Sequence, residues 1–216
     1  MIPVKICGIT RYEDAKLAIE LGAWALGFVF YKKSPRYIDP DAVQEIIDQL
    51  KQDGLAAKEY VGVFVNPSSE ELKNIFSKAG LTICQLHGTE SPEFCHQLPW
   101  NVIKAFRLEN DADVTECEKW GNLGWFLTDA AKKGEWGGTG ELSDWELSGK
   151  LKLNSMNVPL LLSGGINIEN IYEASQKISP WGFDLSSGVE DAPGIKSAEK
   201  LKSLFQLVRK IDYENA

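Results

Sequence analysis

The feature that most constrains this chain is a rhythm. Short apolar runs recur at Val4–Ile9, Ala25–Tyr31, Tyr60–Val65, Thr82–Leu86, Val102–Phe106, Trp125–Thr128, Pro159–Leu162 and Gly182–Leu185. Their starts lie about 25 residues apart on average, the length of one strand, one helix and their loops. The runs are apolar almost throughout, the pattern of strands buried on both faces.

The intervening segments carry helix signals. Thr10 and Glu13 have the spacing of a capping box, in which each side chain satisfies a backbone donor at the helix start. Ser68 and Glu71 repeat that spacing, and Asp39-Pro40 offers an N-cap followed by proline at the first helical position. Val43, Ile46, Ile47 and Leu50 form an i, i+3, i+4, i+7 stripe. So do Leu72, Ile75, Phe76 and Ala79, and near the end Leu201, Leu204, Phe205 and Val208. Amphipathic helices alternating with doubly buried strands imply a parallel α/β sheet covered by helices. About eight such units favour a closed (β/α)8 TIM barrel over an open doubly wound sheet, which commonly needs five or six strands. No linker or low-complexity tract is visible, so residues 1–216 are expected to form a single TIM-barrel domain.

Composition narrows the function. With 44% hydrophobic and 25% charged residues, the chain is neither disordered, collagen-like nor membrane-spanning, and no membrane partner is expected. A net charge of −8 argues against a nucleic-acid surface but leaves room for a phosphate pocket built from backbone N–H groups. Cys7, Cys84, Cys95 and Cys117 show no zinc spacing and do not suggest a disulfide scaffold, so no metal is expected. The first residues lack a signal peptide's layout, which makes the cytoplasm the expected compartment.

A barrel places its chemistry at the C-terminal ends of its strands. Those ends carry Cys7-Gly8, Ser34-Pro35-Arg36, His87-Gly88, Arg107, Asp129, Ser163-Gly164-Gly165 and Ser186-Ser187-Gly188. Gly137-Gly138-Thr139-Gly140 lies in the long loop after the sixth strand, which resembles a mobile lid. Glycines let backbone N–H groups approach a phosphate, and the loops after strands 7 and 8 are the usual barrel cradle. Any one of these loops alone reads equally well as a tight turn. A lone strand cysteine is more often a small buried hydrophobe, and a carboxylate after a strand often caps the next helix. Cys7 and Asp129 on opposite sides of one mouth would instead form a base and acid pair. His87 reads equally as a pocket-wall hydrogen-bonder or as turn support, and His96 as a surface residue. Trp136 and Trp145 flank the long loop, within reach of a substrate.

Taken together, the motifs resemble the phosphoribosylanthranilate isomerase family of tryptophan biosynthesis. They are Lys5-Ile6-Cys7-Gly8-Ile9-Thr10, Gly27-Phe28-Val29-Phe30 with Ser34-Pro35-Arg36, and Gln85-Leu86-His87-Gly88. Asp129, Gly137-Gly138-Thr139-Gly140 before Asp144-Trp145, and Ser163-Gly164-Gly165-Ile166 follow. Gly182-Phe183-Asp184-Leu185-Ser186-Ser187-Gly188-Val189-Glu190 and Pro193-Gly194-Ile195-Lys196 complete the set. Ser197 departs from it, where the family commonly has aspartate.

The resemblance implies a cofactor-free Amadori rearrangement of a small-molecule substrate, N-(5-phosphoribosyl)anthranilate. It implies Cys7 as general base, Asp129 as general acid and Arg36 as the partner of the anthranilate carboxylate. Gly138, Thr139, Gly140, Gly164, Gly165, Ser187 and Gly188 would bind phosphate, and Asp184 is a characteristic aspartate of open role. The mechanism needs Cys7 poised to accept a proton, helped by charge such as Lys5, and Asp129 raised towards neutrality by burial. Another phosphate-binding barrel isomerase or epimerase, or a non-catalytic phosphoribosyl sensor, are the alternative readings.

Overall fold

The computed structural model describes residues 1–130, 143–155 and 158–214. Eight parallel strands close into a barrel in chain order, the first pairing with the eighth. They are β1 (Val4–Cys7), β2 (Ala25–Val29), β3 (Glu59–Phe64), β4 (Ile83–Leu86), β5 (Asn101–Arg107), β6 (Trp125–Asp129), β7 (Leu160–Leu162) and β8 (Gly182–Leu185). Between and after them run α1 (Tyr12–Leu21), α2 (Pro40–Gln52), α3 (Ser69–Ala79), α4 (Pro92–His96), α5 (Asp111–Glu116), α6 (Trp145–Asn154), α7 (Ile171–Ile178) and α8 (Ala198–Glu214). A small antiparallel pair, β9 (Glu190–Ala192) with β10 (Ile195–Lys196), precedes α8.

The helices form where the stripes demand. The α2 stripe and the α8 stripe are fully buried, while in α3 Ile75 is only partly covered. Each large apolar side chain so buried contributes about 1.5–3 kcal/mol. At the start of α2 the Asp39 carboxylate accepts from Asp41 N at 3.0 Å, and at α3 the Ser68 hydroxyl accepts from Glu71 N at 3.1 Å. The Thr10–Glu13 box does not form. Arg11 is the extended residue before α1 and makes no side-chain cap, because Thr10 Oγ1 donates instead to the carbonyl of Gly194. The turn between β9 and β10 folds over the β1–α1 loop and takes that hydroxyl. Acidic Glu13 and Asp14 in the first turn still suit the positive end of the helix.

Successive strand residues face opposite ways, so each strand supplies two layers. Leu26 and Phe28 face the helices, while Ala25, Val61, Ile83, Ile103, Leu127 and Leu161 pack together as a separate core inside the barrel. Below them, at the N-terminal mouth, Trp24, Trp125 and Trp181 close the barrel. Their ring centroids lie 4.9–5.8 Å apart.

Candidate functional site

The same alternation builds the opposite mouth. Two residues along from the inner apolar layer, Ile83 gives way to Gln85 and then His87, Leu127 to Asp129, and Leu161 to Ser163. All four polar residues line one cleft, together with Cys7, Arg36 and Asp184. Cys7 and Asp129 thus come from β1 and β6, with β7 and β8 between them on one side.

Around the base candidate, Lys5 is completely buried and its ammonium lies 2.8 Å from Asp184 Oδ1 across the β1–β8 seam. Burial alone would lower the pKa of Lys5, but Asp184 and Cys7 outweigh it and hold Lys5 above its ordinary value, hence charged. Burial pushes the Cys7 thiol up; the Lys5 charge opposes this and the Asp184 charge adds to it. Lys5 therefore moderates the rise of the thiol without reversing it, so the free protein holds a thiol where the mechanism needs a proton acceptor.

The acid candidate is held by His87. Asp129 Oδ2 lies 3.0 Å from His87 Nε2, and His87 Nδ1 lies 3.2 Å from Gln85 Nε2. An amide nitrogen donates, so Nδ1 accepts and Nε2 carries the hydrogen given to the carboxylate. Burial would raise Asp129, but the hydrogen bond from His87, joined by that from the Ala130 backbone N–H, holds it below the usual carboxylate value. In the free protein Asp129 is thus shifted away from the neutral form that the mechanism requires, because burial came with a donor attached. The turn after His87 is itself pinned, since buried Glu90 accepts from Gly88 N, Asn66 N and Lys104 Nζ.

Arg36 is not a solvated surface residue. It lies seven positions beyond the end of β2, is only 8% exposed, and grips Glu190 through Nε at 2.9 Å and Nη2 at 2.7 Å. Lys196 Nζ reaches the same carboxylate at 2.7 Å and also the carbonyl of Cys7 at 2.5 Å. These two cations hold Glu190 below its ordinary pKa despite burial.

The glycine turns of β7 and β8 interlock. Gly164 and Gly165 have positive φ, 77° and 67°. A Cβ on Gly164 would meet Ala130 N at 2.5 Å, and one on Gly188 would meet the carbonyl of Ile166 at 2.2 Å. Only glycine permits these approaches. The cleft is lined there by Gly164, Gly165 and Ser187, with Gly188 directly behind. Gly138, Thr139, Gly140 and Trp136 lie outside the described residues. Trp145 opens α6 and packs beside Lys177, away from the cleft. Among the described residues, no group of three or more His, Cys, Asp or Glu side chains is placed to hold a metal ion, and no helix is long and apolar enough to cross a membrane.

The chain as a whole is similar to known proteins. The family model described as N-(5'phosphoribosyl)anthranilate (PRA) isomerase matches residues 4–207. The chain belongs to that family. A relative from Syntrophus aciditrophicus named N-(5'-phosphoribosyl)anthranilate isomerase is 40% identical over 97% of this chain and 88% of its own. The crystal structure of the phosphoribosyl anthranilate isomerase from Thermotoga maritima has a TM-score of 0.86 and 38% identity, covering 97% of this chain and 100% of that one. A further isomerase structure, in complex with reduced 1-(o-carboxyphenylamino)-1-deoxyribulose 5-phosphate, has a TM-score of 0.83 and 36% identity, covering 97% of this chain and 100% of that one. Membership makes the chain an intramolecular isomerase of tryptophan biosynthesis.

Within this phosphoribosylanthranilate isomerase fold, most of the described positions read from strand ends line one cleft, while Gly88 and Arg107 line a neighbouring hollow. Sequence reasoning missed the partners. Gln85 could have been found as the inner residue two before His87 on β4. Glu190 and Lys196 stood within the family motifs without a role, because their contacts to Arg36 and Cys7 span 154 and 189 residues.

Proposed function

We propose that the chain converts N-(5-phosphoribosyl)anthranilate into 1-(2-carboxyphenylamino)-1-deoxyribulose 5-phosphate, with Cys7 as general base and Asp129 as general acid. The observation that carries this reading is that the thiol and the carboxylate face one cleft, with the β7 and β8 glycine turns between them. A phosphate seated on those turns directs the ribose across the cleft. Asp129 then protonates the ring oxygen as the nitrogen lone pair opens the ring to an iminium. That iminium is an electron sink, so the adjacent C2′ proton becomes acidic and Cys7 removes it. The resulting enolamine tautomerises to the ketone. The substrate provides the electron sink that a cofactor supplies elsewhere. Arg36 at the rim suits the anthranilate carboxylate, since a guanidinium grips a carboxylate through two parallel bonds.

The shifts described above favour a thiol and a carboxylate in the free protein, whereas the reaction needs a thiolate and a carboxylic acid. The substrate brings two anionic groups into the cleft, and added negative charge raises the pKa of Asp129, while for Cys7, which that charge also raises, Lys5 and Lys196 are the opposing cations. His87, donating from Nε2, keeps the carboxylate aimed while that proton arrives. Turnover of freshly generated substrate, followed as loss of anthranilate fluorescence, tests the reaction. Inorganic phosphate is expected to inhibit competitively; failure to compete would remove the phosphate seat from the glycine turns.

A further inference from the structure

Arg36 is held from behind. Glu190 occupies its Nε–Nη2 side, with contacts of 2.9, 3.1 and 2.7 Å, while Nη1 makes no hydrogen bond among the described residues. Glu190 is itself fixed from two further directions, by Lys196 Nζ at 2.7 Å and by Gly194 N at 3.2 Å. Lys196, completely buried at its ammonium, carries the fixation on to the carbonyl of Cys7. The arm of Arg36 crosses the bare backbone of Gly8, where an added Cβ would meet Arg36 Cδ at 2.6 Å. The guanidinium is thereby set beside the strand end that presents Cys7.

We propose that Glu190 and Lys196 are the positioning residues of Arg36: they occupy one edge of the guanidinium and leave the other presented to the carboxylate of the substrate. The inference rests on the reading of Arg36 given above. Charge supports it. Arg36 and Lys196 both face the single carboxylate of Glu190, and although burial lowers Lys196 from its ordinary value, the guanidinium keeps a positive edge that an incoming carboxylate can meet. Geometry supports it as well. A carboxylate bound side-on through Nε and Nη2 leaves the Nη1–Nη2 fork free for a second, end-on carboxylate. Because Lys196 also holds the Cys7 carbonyl, one buried ammonium sets the spacing between the carboxylate grip and the base.

The test compares two substrates, N-(5-phosphoribosyl)anthranilate and its aniline analogue lacking the carboxylate. Glu190→Gln is expected to raise KM for the first by about tenfold with a smaller fall in kcat, and to change kcat/KM for the analogue by less than about threefold. Arg36→Lys should show the same selectivity, and the double variant should lose little more than Arg36→Lys alone, because both act through one grip. Should Glu190→Gln fail to fold, Lys196→Gln, which keeps a donor for the Cys7 carbonyl, is read in the same way. Equal losses for both substrates would show a merely structural role and overturn the proposal. So would a selective Arg36→Lys beside a Glu190→Gln without effect, which leaves the Arg36 reading standing. An Arg36→Lys without selectivity overturns the carboxylate grip itself, and the positioning role falls with it.

Discussion

At the N-terminal mouth of the barrel, Trp24, Trp125 and Trp181 press ring against ring; at the C-terminal mouth, Cys7, His87, Asp129 and Asp184 line an open cleft. The same strands build both ends, and only the inner residue of each successive layer changes. Apolar inner residues need no partner, so the lower end packs and gains stability from burial. Polar inner residues must each be satisfied, so the upper end needs supporting pairs: Lys5 with Asp184, His87 with Asp129, and Glu190 with Arg36 and Lys196. Stability and chemistry are thus divided along the barrel axis.

The strongest blow to that division falls on the upper mouth. Cys7→Ser and Asp129→Asn are each expected to lower kcat by at least ~10²-fold, the lower end for a general base or acid, with unfolding still cooperative. Near-normal turnover in either variant would strip that residue of its role. The pH profile of kcat/KM sharpens the same point. Asp129 is held low and Cys7 is pushed high, so the free protein should show a broad plateau. Because the active form holds Asp129 protonated and Cys7 ionised, activity falls at low pH as the thiolate is lost and at high pH as the carboxylic acid is lost. Asp129→Asn should abolish the fall at high pH and leave a rate that rises with pH until the Cys7 thiol is ionised.

The lower mouth should answer in the other currency. Trp181→Ala is expected to cost about 3 kcal/mol in urea unfolding, the low end for a large aromatic because Trp181 is only partly buried. Its kcat/KM should stay within about threefold of the parent. A tenfold loss of activity would show that the two ends are coupled. The smallest effect concerns the loop crossing above β1. With Thr10 committed to Gly194, Glu13 has no capping partner, so Glu13→Gln should shift stability by no more than about 0.5 kcal/mol. A loss above 1 kcal/mol by the same urea measurement would mean that the box forms in solution.

By itself, the sequence determined the barrel and the rim. The recurrence of apolar runs, the buried stripes of α2 and α8, and the caps at Asp39 and Ser68 depend on residues at most a few positions apart, whose spacing is fixed by the geometry of a helix or strand. The same local logic marked Cys7, Asp129, Arg36 and the glycine turns as strand-end residues, and the structure gathers the described ones at one mouth. Tertiary structure alone decided the partners. The pairing of Lys5 with Asp184 follows from closure of β1 onto β8, and Arg36 meets Glu190 because the segment before α8 folds back over that seam. His87 reaches Asp129 across 42 residues, and Thr10 abandons its helix for a carbonyl 184 positions away. The protonation tendencies belong to this second class. Whether a buried carboxyl rises or falls depends on burial set against the donors and charges around it, and those neighbours come together only when the barrel closes.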